Sequence, residues 1–198
     1  MSIVIRDVLE HELDSVLALN NAAGPGILPI DAARMRYLFD HAEYFRVAER
    51  EGHIVGMLIA FGSQSQHDSH NFAWFAERLA NFLYIDRIAV SSRRRGGGVG
   101  RALYADVQSY AEARYPELCC EVFLQEGTDP ALLFHGTFGF REMGQNIQAD
   151  GTRASMLVKP MCSHAWIRET YGERLPDAAW IVRPRMLQSA PCLMDMTA

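Results

Sequence analysis

Residues 82–90, Phe82-Leu83-Tyr84-Ile85-Asp86-Arg87-Ile88-Ala89-Val90, put β-forming apolar side chains at both alternating positions, as expected for a central strand covered on two faces. Ser91 to Val99 then supplies three arginines and three glycines, and Leu103, Val107, Tyr110 and Ala111 mark a helix ending near Pro116. A buried strand running through a glycine-rich loop into an amphipathic helix is an α/β unit at the middle of a sheet. The loop also carries chemistry. Glycines at 96, 97, 98 and 100 remove obstructing side chains, while the helix start presents unpaired N–H groups and positive dipole density. Arg93, Arg94, Arg95 and Arg101 concentrate positive charge in a chain whose net charge is −5. This combination is an anion cradle for a phosphate-bearing ligand. A P-loop needs lysine and then Ser or Thr after its second glycine, where Arg101-Ala102 stands. A dinucleotide fingerprint needs a small residue where Leu103 stands and normally occupies the first β-to-α turn.

The other elements read as follows. Ile3–Arg6 begins a strand, Leu13 to Asn20 a helix, and Asp31 caps a helix carrying Met35, Leu38 and Phe39. Tyr44–Glu49 and Ile54–Phe61 form a hairpin across Arg50 to His53. Residues 62–70 are a polar loop, and Phe72 to Leu79 a short helix over something apolar. Cys119–Gln125 is a strand, Asp129-Pro130 opens a helix through Thr137, and strands near 141–148 and 153–158 flank Asp150-Gly151. The main domain is predicted over 1–160. From Pro160 onward the chain holds four of its eight prolines and loses clear periodicity, yet keeps Trp166 and Trp180. The extension 161–198 is therefore expected to dock on its own domain or on a second subunit, as in a homodimer.

Composition narrows the functional classes. With 198 residues, 49% hydrophobic and 22% charged, the chain has the makings of one folded domain and its appendage. The acidic balance and lack of an extended basic surface argue against a nucleic-acid partner. No apolar run reaches the roughly 20 residues that span a bilayer, and Met1 to Asp7 lacks signal-peptide features; a cytoplasmic protein with no membrane partner is expected. Cys119, Cys120, Cys162 and Cys192 match neither a zinc ribbon nor a disulfide framework and read as reduced thiols. Cys119 and Cys120 are expected to pack on opposite faces of a strand. His67, Asp68 and His70 lie too loosely in a polar loop to predict a metal centre.

At Arg95, Gly98 and Gly100 the chain resembles the Gcn5-related N-acetyltransferase superfamily, whose motif is Arg or Gln, two residues, Gly, one residue, then Gly or Ala. A second resemblance is Ala131-Leu132-Leu133-Phe134-His135-Gly136-Thr137-Phe138-Gly139-Phe140, similar to the family's helix and Gly-Phe ending after the fifth strand. The element order matches from Ile3 to Pro160. The resemblance implies an α/β GNAT fold: a central mixed, mostly antiparallel sheet with a parallel splayed pair at strands 4 and 5, flanked by helices. It further implies that acetyl-CoA, as cosubstrate, lies in the opening between those strands. Its pyrophosphate would meet N–H groups of Gly96, Gly97, Gly98, Val99, Gly100 and Arg101, and its pantetheine arm the backbone of Ile88, Ala89 and Val90. The implied reaction is direct attack by a primary amine of a small molecule or peptide.

Two positions depart from the family pattern: His135 stands where a tyrosine often protonates the departing thiolate, and Thr128 where an asparagine is common. An imidazole can donate a proton and a hydroxyl can contact the cofactor, so both remain candidates. The loss of the tyrosine also leaves open a non-catalytic, regulatory acyl-CoA-binding module. Asp86 and Glu121 each interrupt an apolar strand beside the expected opening and are the candidate bases. Trp74, Phe75 and Tyr84, with Phe72, are candidates for an aromatic wall over the acceptor.

Overall fold

The computed structural model describes residues 2–24, 26–92, 96–124 and 130–172. In chain order the elements are β1 (Val4–Asp7), α1 (Leu13–Asn21), α2 (Ala32–His41), β2 (Tyr44–Arg50), β3 (His53–Gly62), α3 (His70–Ala76) and β4 (Leu83–Val90). Then come α4 (Val99–Glu112), β5 (Glu117–Phe123), α5 (Pro130–Thr137), β6 (Arg141–Ile147), β7 (Arg153–Pro160) and α6 (His164–Tyr171). Local chemistry sets the boundaries. Asp31 caps α2 by accepting from the Arg34 N–H at 2.7 Å, and the Ser69 hydroxyl accepts from Asn71 and Phe72 at the start of α3. The β2–β3 turn places Glu51 and Gly52 at φ 55° and 75°, the left-handed pair that suits the twist of a two-residue hairpin. Helix α6 escapes the periodicity reading because it buries none of its residues and exposes Trp166 and Tyr171.

The seven strands lie in the order β1-β2-β3-β4-β5-β7-β6. Every pairing is antiparallel except β4 with β5, so the expected mixed sheet with one parallel pair is present. Alternation along the strands sorts the apolar side chains into two cores. Met57, Ile59, Phe61, Tyr84 and Cys119 face α1, α2 and α3, packing with Val16, Leu38 and Phe75. Leu58, Ala60, Leu83, Ile85 and Cys120 face α4, packing with Leu103, Tyr104 and Val107. Cys119 and Cys120 are both free, buried thiols, one on each face.

Two irregularities in the central strands shape the candidate site. In the β3–β4 ladder Ile59 pairs with Arg87 and Ala60 with Ile85, so Asp86 is a bulged residue with no partner across the ladder. The bulge reverses the alternation: Leu83 and Ile85 lie on the α4 face before it, and Ile88 and Val90 after it. The mixed parity of residues 82–90 therefore reflects both burial on two faces and this extra residue. The second irregularity is the parallel pair itself. It is registered only at Leu83↔Leu118 and Tyr84↔Cys119, after which the strands part. Among the described residues no helix is long and apolar enough to cross a membrane.

Candidate active site

Beyond Tyr84 and Cys119 the separating strands open a cavity of about 1080 Å³. One wall is built from Ile88 and Val90 of β4, Gly96, Gly98 and the first turn of α4 through Arg101, and Ala131, Phe134 and His135 of α5. Gly98 is the N-cap of α4 at φ 81°, and no side chain caps the helix. The Ala102 N–H bonds to the Gly98 carbonyl at 2.9 Å, so the amides of Val99, Gly100 and Arg101 precede the first helical bond. A Cβ on Gly96 or Gly98 would meet nothing within 4 Å. Uncapped amides, open space and the exposed Arg101 beside them fit an anionic group such as a diphosphate. Gly97 belongs to the same described turn, whereas Arg93, Arg94, Arg95 and Thr128 lie outside the described residues, as do Asp129 and Trp180. Ala89 points away, into the core facing α1.

The first turn of α4 rests on Gly56 of β3. A Cβ at that position would come 2.7 Å from Val99 Cγ1, 3.1 Å from Leu103 Cδ1 and 3.3 Å from the Ala89 carbonyl oxygen. Val99 is β-branched and cannot easily turn aside. Gly56→Ala is expected to push this turn off the sheet and cost about 1–3 kcal/mol of stability, seen as a lowered Tm in thermal denaturation. An unchanged Tm would contradict so tight a seat.

The opposite wall carries the ionisable groups. At the bulge, Asp86 Oδ2 accepts from Arg87 Nε at 2.6 Å, and Oδ1 lies 3.0 Å from His67 Nε2. Burial pushes the Asp86 carboxyl up, but His67 and Arg87 together outweigh it and hold the group below the usual carboxylate range. His67 is itself sealed among the rings of Phe61, Phe72 and Tyr84, with Nδ1 accepting from the Ser69 N–H at 3.1 Å. Arg87 also reaches Asn20 Oδ1 at 3.1 Å. The polar loop 62–70 thus sends His67 inward to Asp86, while Asp68 turns to Arg34 at 2.6 Å. Among the described residues no group of three or more His, Cys, Asp or Glu is placed to hold a metal ion.

Glu121 of β5 is in a different state. Burial pushes its carboxyl up to about 7, reinforced by the charge of Asp86, against hydrogen bonds from Tyr84 and Asn71 that favour ionisation. Its Oε2 has no hydrogen-bond partner among the described residues. Asn71 is fixed for this contact because its Oδ1 already accepts from Asn146 Nδ2 at 2.8 Å and Gln148 Nε2 at 2.9 Å, leaving its N–H groups for Glu121. A buried carboxyl that titrates near neutrality and keeps one oxygen in reserve can take up a proton.

His135 of α5 is buried, with Nδ1 2.6 Å from the Ala131 carbonyl oxygen and Nε2 2.6 Å from the Tyr104 hydroxyl. Of the proposed aromatic wall, Tyr84 lines the cavity. Phe72 and Phe75 are buried in the core under α3, and Trp74 packs against Gly144 of β6 and beneath the guanidinium of Arg78. The sequence reading missed three contributors. Asn71 and Tyr104 carried no signal beyond helix positions, and His67 none beyond membership of a polar tract.

A family model described as the Acetyltransferase (GNAT) family matches residues 13–140. Among solved structures, the ribosomal-protein-S18-alanine N-acetyltransferase from Escherichia coli is similar at 16% identity and TM-score 0.62, covering 81% of this chain and 94% of that one. Ard1 from Thermoplasma volcanium is similar at 19% identity and TM-score 0.64, covering 81% and 98%. Arabidopsis thaliana Naa50, in complex with the bisubstrate analogue CoA-Ac-MVNAL, is similar at 17% identity and TM-score 0.61, covering 80% and 99%. At these identities the likeness is one of fold. No curated protein matches this chain significantly.

Proposed function

Because the chain belongs to the Acetyltransferase (GNAT) family, we propose that it transfers acetyl from acetyl-CoA to a primary amine of a peptide or small molecule by direct attack. One observation carries this reading. The gap between β4 and β5 has uncapped amides at the start of α4 on one wall and, on the other, Glu121, whose carboxyl burial pushes up to about 7.

The amides of Gly96 to Arg101, with Arg101 itself, hold the diphosphate. Backbone groups of β4 from Ile88 to Val90, left without a β5 partner after Tyr84, face the pantetheine arm and offer donors to the thioester oxygen. Such donors lower the barrier because they bind the developing oxyanion more strongly than the neutral carbonyl. Glu121 is the proton acceptor for the amine, directly or through water. Asp86, with one oxygen on the Arg87 guanidinium and the other on His67 Nε2, is the fixed anion that keeps the bulge in shape. The proton returned to the leaving thiolate is drawn from His135. Naa50 bound to CoA-Ac-MVNAL and the S18-alanine acetyltransferase, both of this fold, support an amine as the acceptor class.

Calorimetry with acetyl-CoA and free CoA, followed by thiol release against an amine panel with mass detection of product, tests the reading. Saturable binding of both and one acetylated amine are expected. Absence of saturable binding would overturn the cofactor assignment, and binding without any turnover would favour the regulatory module.

A further inference from the structure

Tyr104 stands on the α4 face where a leucine would pack as well, yet its hydroxyl is buried at the edge of the cavity. A buried hydroxyl is costly unless it is satisfied. This one lies 2.6 Å from His135 Nε2, with Cys120 of β5 beside it. The direction of the first bond follows from the other side of the ring. Nδ1 is 2.6 Å from the Ala131 carbonyl oxygen, which can only accept, so Nδ1 carries a proton in either charge state. In the neutral ring Nε2 is then an acceptor, and Tyr104 O–H donates to it. In the imidazolium Nε2–H donates to the Tyr104 oxygen instead, and the phenolic proton is released to turn toward β5 and the cavity. Nε2 is the ring nitrogen aimed at Tyr104, and this contact gives a proton on His135 a route through Tyr104 to the cavity.

Resting on the acetyl-transfer reading above, we propose that Tyr104 is the immediate proton donor to the leaving thiolate and that His135 resupplies it. As the carbon–sulfur bond of the thioester breaks, its electron pair stays on sulfur and takes the Tyr104 hydroxyl proton. The Nε2 proton moves to the Tyr104 oxygen, and His135 ends neutral with Nδ1–H still on Ala131. The amine's lost proton is held by Glu121, so the site returns to its starting state when Glu121 releases a proton to solvent and His135 takes one up. The resupply is needed because burial holds the Tyr104 phenol well above its ordinary range, and the concerted shift avoids a buried phenolate. The titratable groups facing the Tyr104 hydroxyl among the described residues are His135 from α5 and Cys120 and Glu121 from β5. The Tyr104 ring itself packs against those of Phe134, Phe138 and Phe140.

Two measurements on the full chain test this. Nitrogen-15 NMR of the imidazoles, assigned with His135→Phe, is expected to show the neutral ring of His135 protonated at Nδ1. Protonation at Nε2 in the neutral ring would overturn the relay, whether or not the enzyme is active. Kinetics with the acceptor found above are expected to show Tyr104→Phe, His135→Phe and the double variant all lowering kcat by a similar factor, about 10²-fold. The Kd for acetyl-CoA by calorimetry should stay within about threefold of the parent, because the phenyl ring keeps its packing. A parental kcat in Tyr104→Phe, or losses that multiply in the double variant, would overturn it. Failure of the parent to bind or turn over acetyl-CoA would instead be failure of the underlying function, and the relay would fall with it.

Discussion

Glutamine in place of Glu121 is expected to lower kcat/KM for acetyl transfer by about 10²- to 10⁴-fold and to flatten its pH dependence. Only the ionised carboxylate accepts a proton. With burial pushing the group up to about 7, the parental rate should climb as pH rises through neutrality and then level off, whereas the substituted amide has nothing to titrate. A pH–rate series on both proteins checks this, and a parental acid limb in Glu121→Gln would remove Glu121 as the base. Stability should move in the opposite sense. The folded-state value lies above the unfolded one, so the site's favourable contribution is complete below the unfolded value of 4.5 and is lost as pH rises to about 7. The shift corresponds to roughly 3 kcal/mol. Chemical denaturation should find Glu121→Gln gaining on the parent by a large part of that amount between acid and neutral pH, even as it loses activity.

Asp86→Asn is expected to do its damage to the fold. It leaves the mostly buried Arg87 guanidinium and the sealed His67 facing a neutral amide, and breaking a buried pair by removing one partner costs about 3–5 kcal/mol. For a chain of this size that corresponds to a drop in Tm of roughly 10 °C. The pH sign is the reverse of that for Glu121. Asp86 is held below its ordinary range, so its contribution is present above the unfolded carboxylate value and disappears as pH falls through the depressed folded value. The parent's advantage should therefore shrink in acid, and a constant gap in Tm across pH would contradict the ion-pair account. The charge of Asp86 also helps raise Glu121, so the surviving activity of Asp86→Asn should show its acid limb displaced to lower pH.

The order of elements was legible because each local signal agreed with its neighbours. Asp31 caps α2 as its position predicts, and the apolar spacing of Leu103, Val107 and Tyr110 is the face that α4 buries. The unusual density of β formers in 82–90 marked the middle of the sheet. What stayed hidden depends on distance across the fold. His67 and Asp86 are 19 positions apart, joined only because residues 62–70 fold back over Tyr84. Tyr104 read as another apolar helix residue because helical periodicity cannot see a hydroxyl's partner on α5. Asp86 and Glu121 looked equivalent in sequence as polar residues in apolar strands. Asp86 is held by the Arg87 guanidinium and the His67 imidazole, whereas Glu121 keeps an oxygen with no hydrogen-bond partner among the described residues, and that difference, invisible to spacing, separates an anchored anion from the proposed proton acceptor.

The brief contact between β4 and β5 also has a mechanical consequence. Two rungs stitch the sheet's four-stranded leaf to its three-stranded leaf, so the ladder is left unzipped along its centre line. The peptide groups of β4 beyond Tyr84 keep one side free of β5, and on the acetyl-transfer reading proposed above a slender molecule bearing amides along its length would complete the weave there as an extra strand does. On that reading ligand occupancy and sheet cohesion would be the same event, and the architecture would be most fully knitted when loaded.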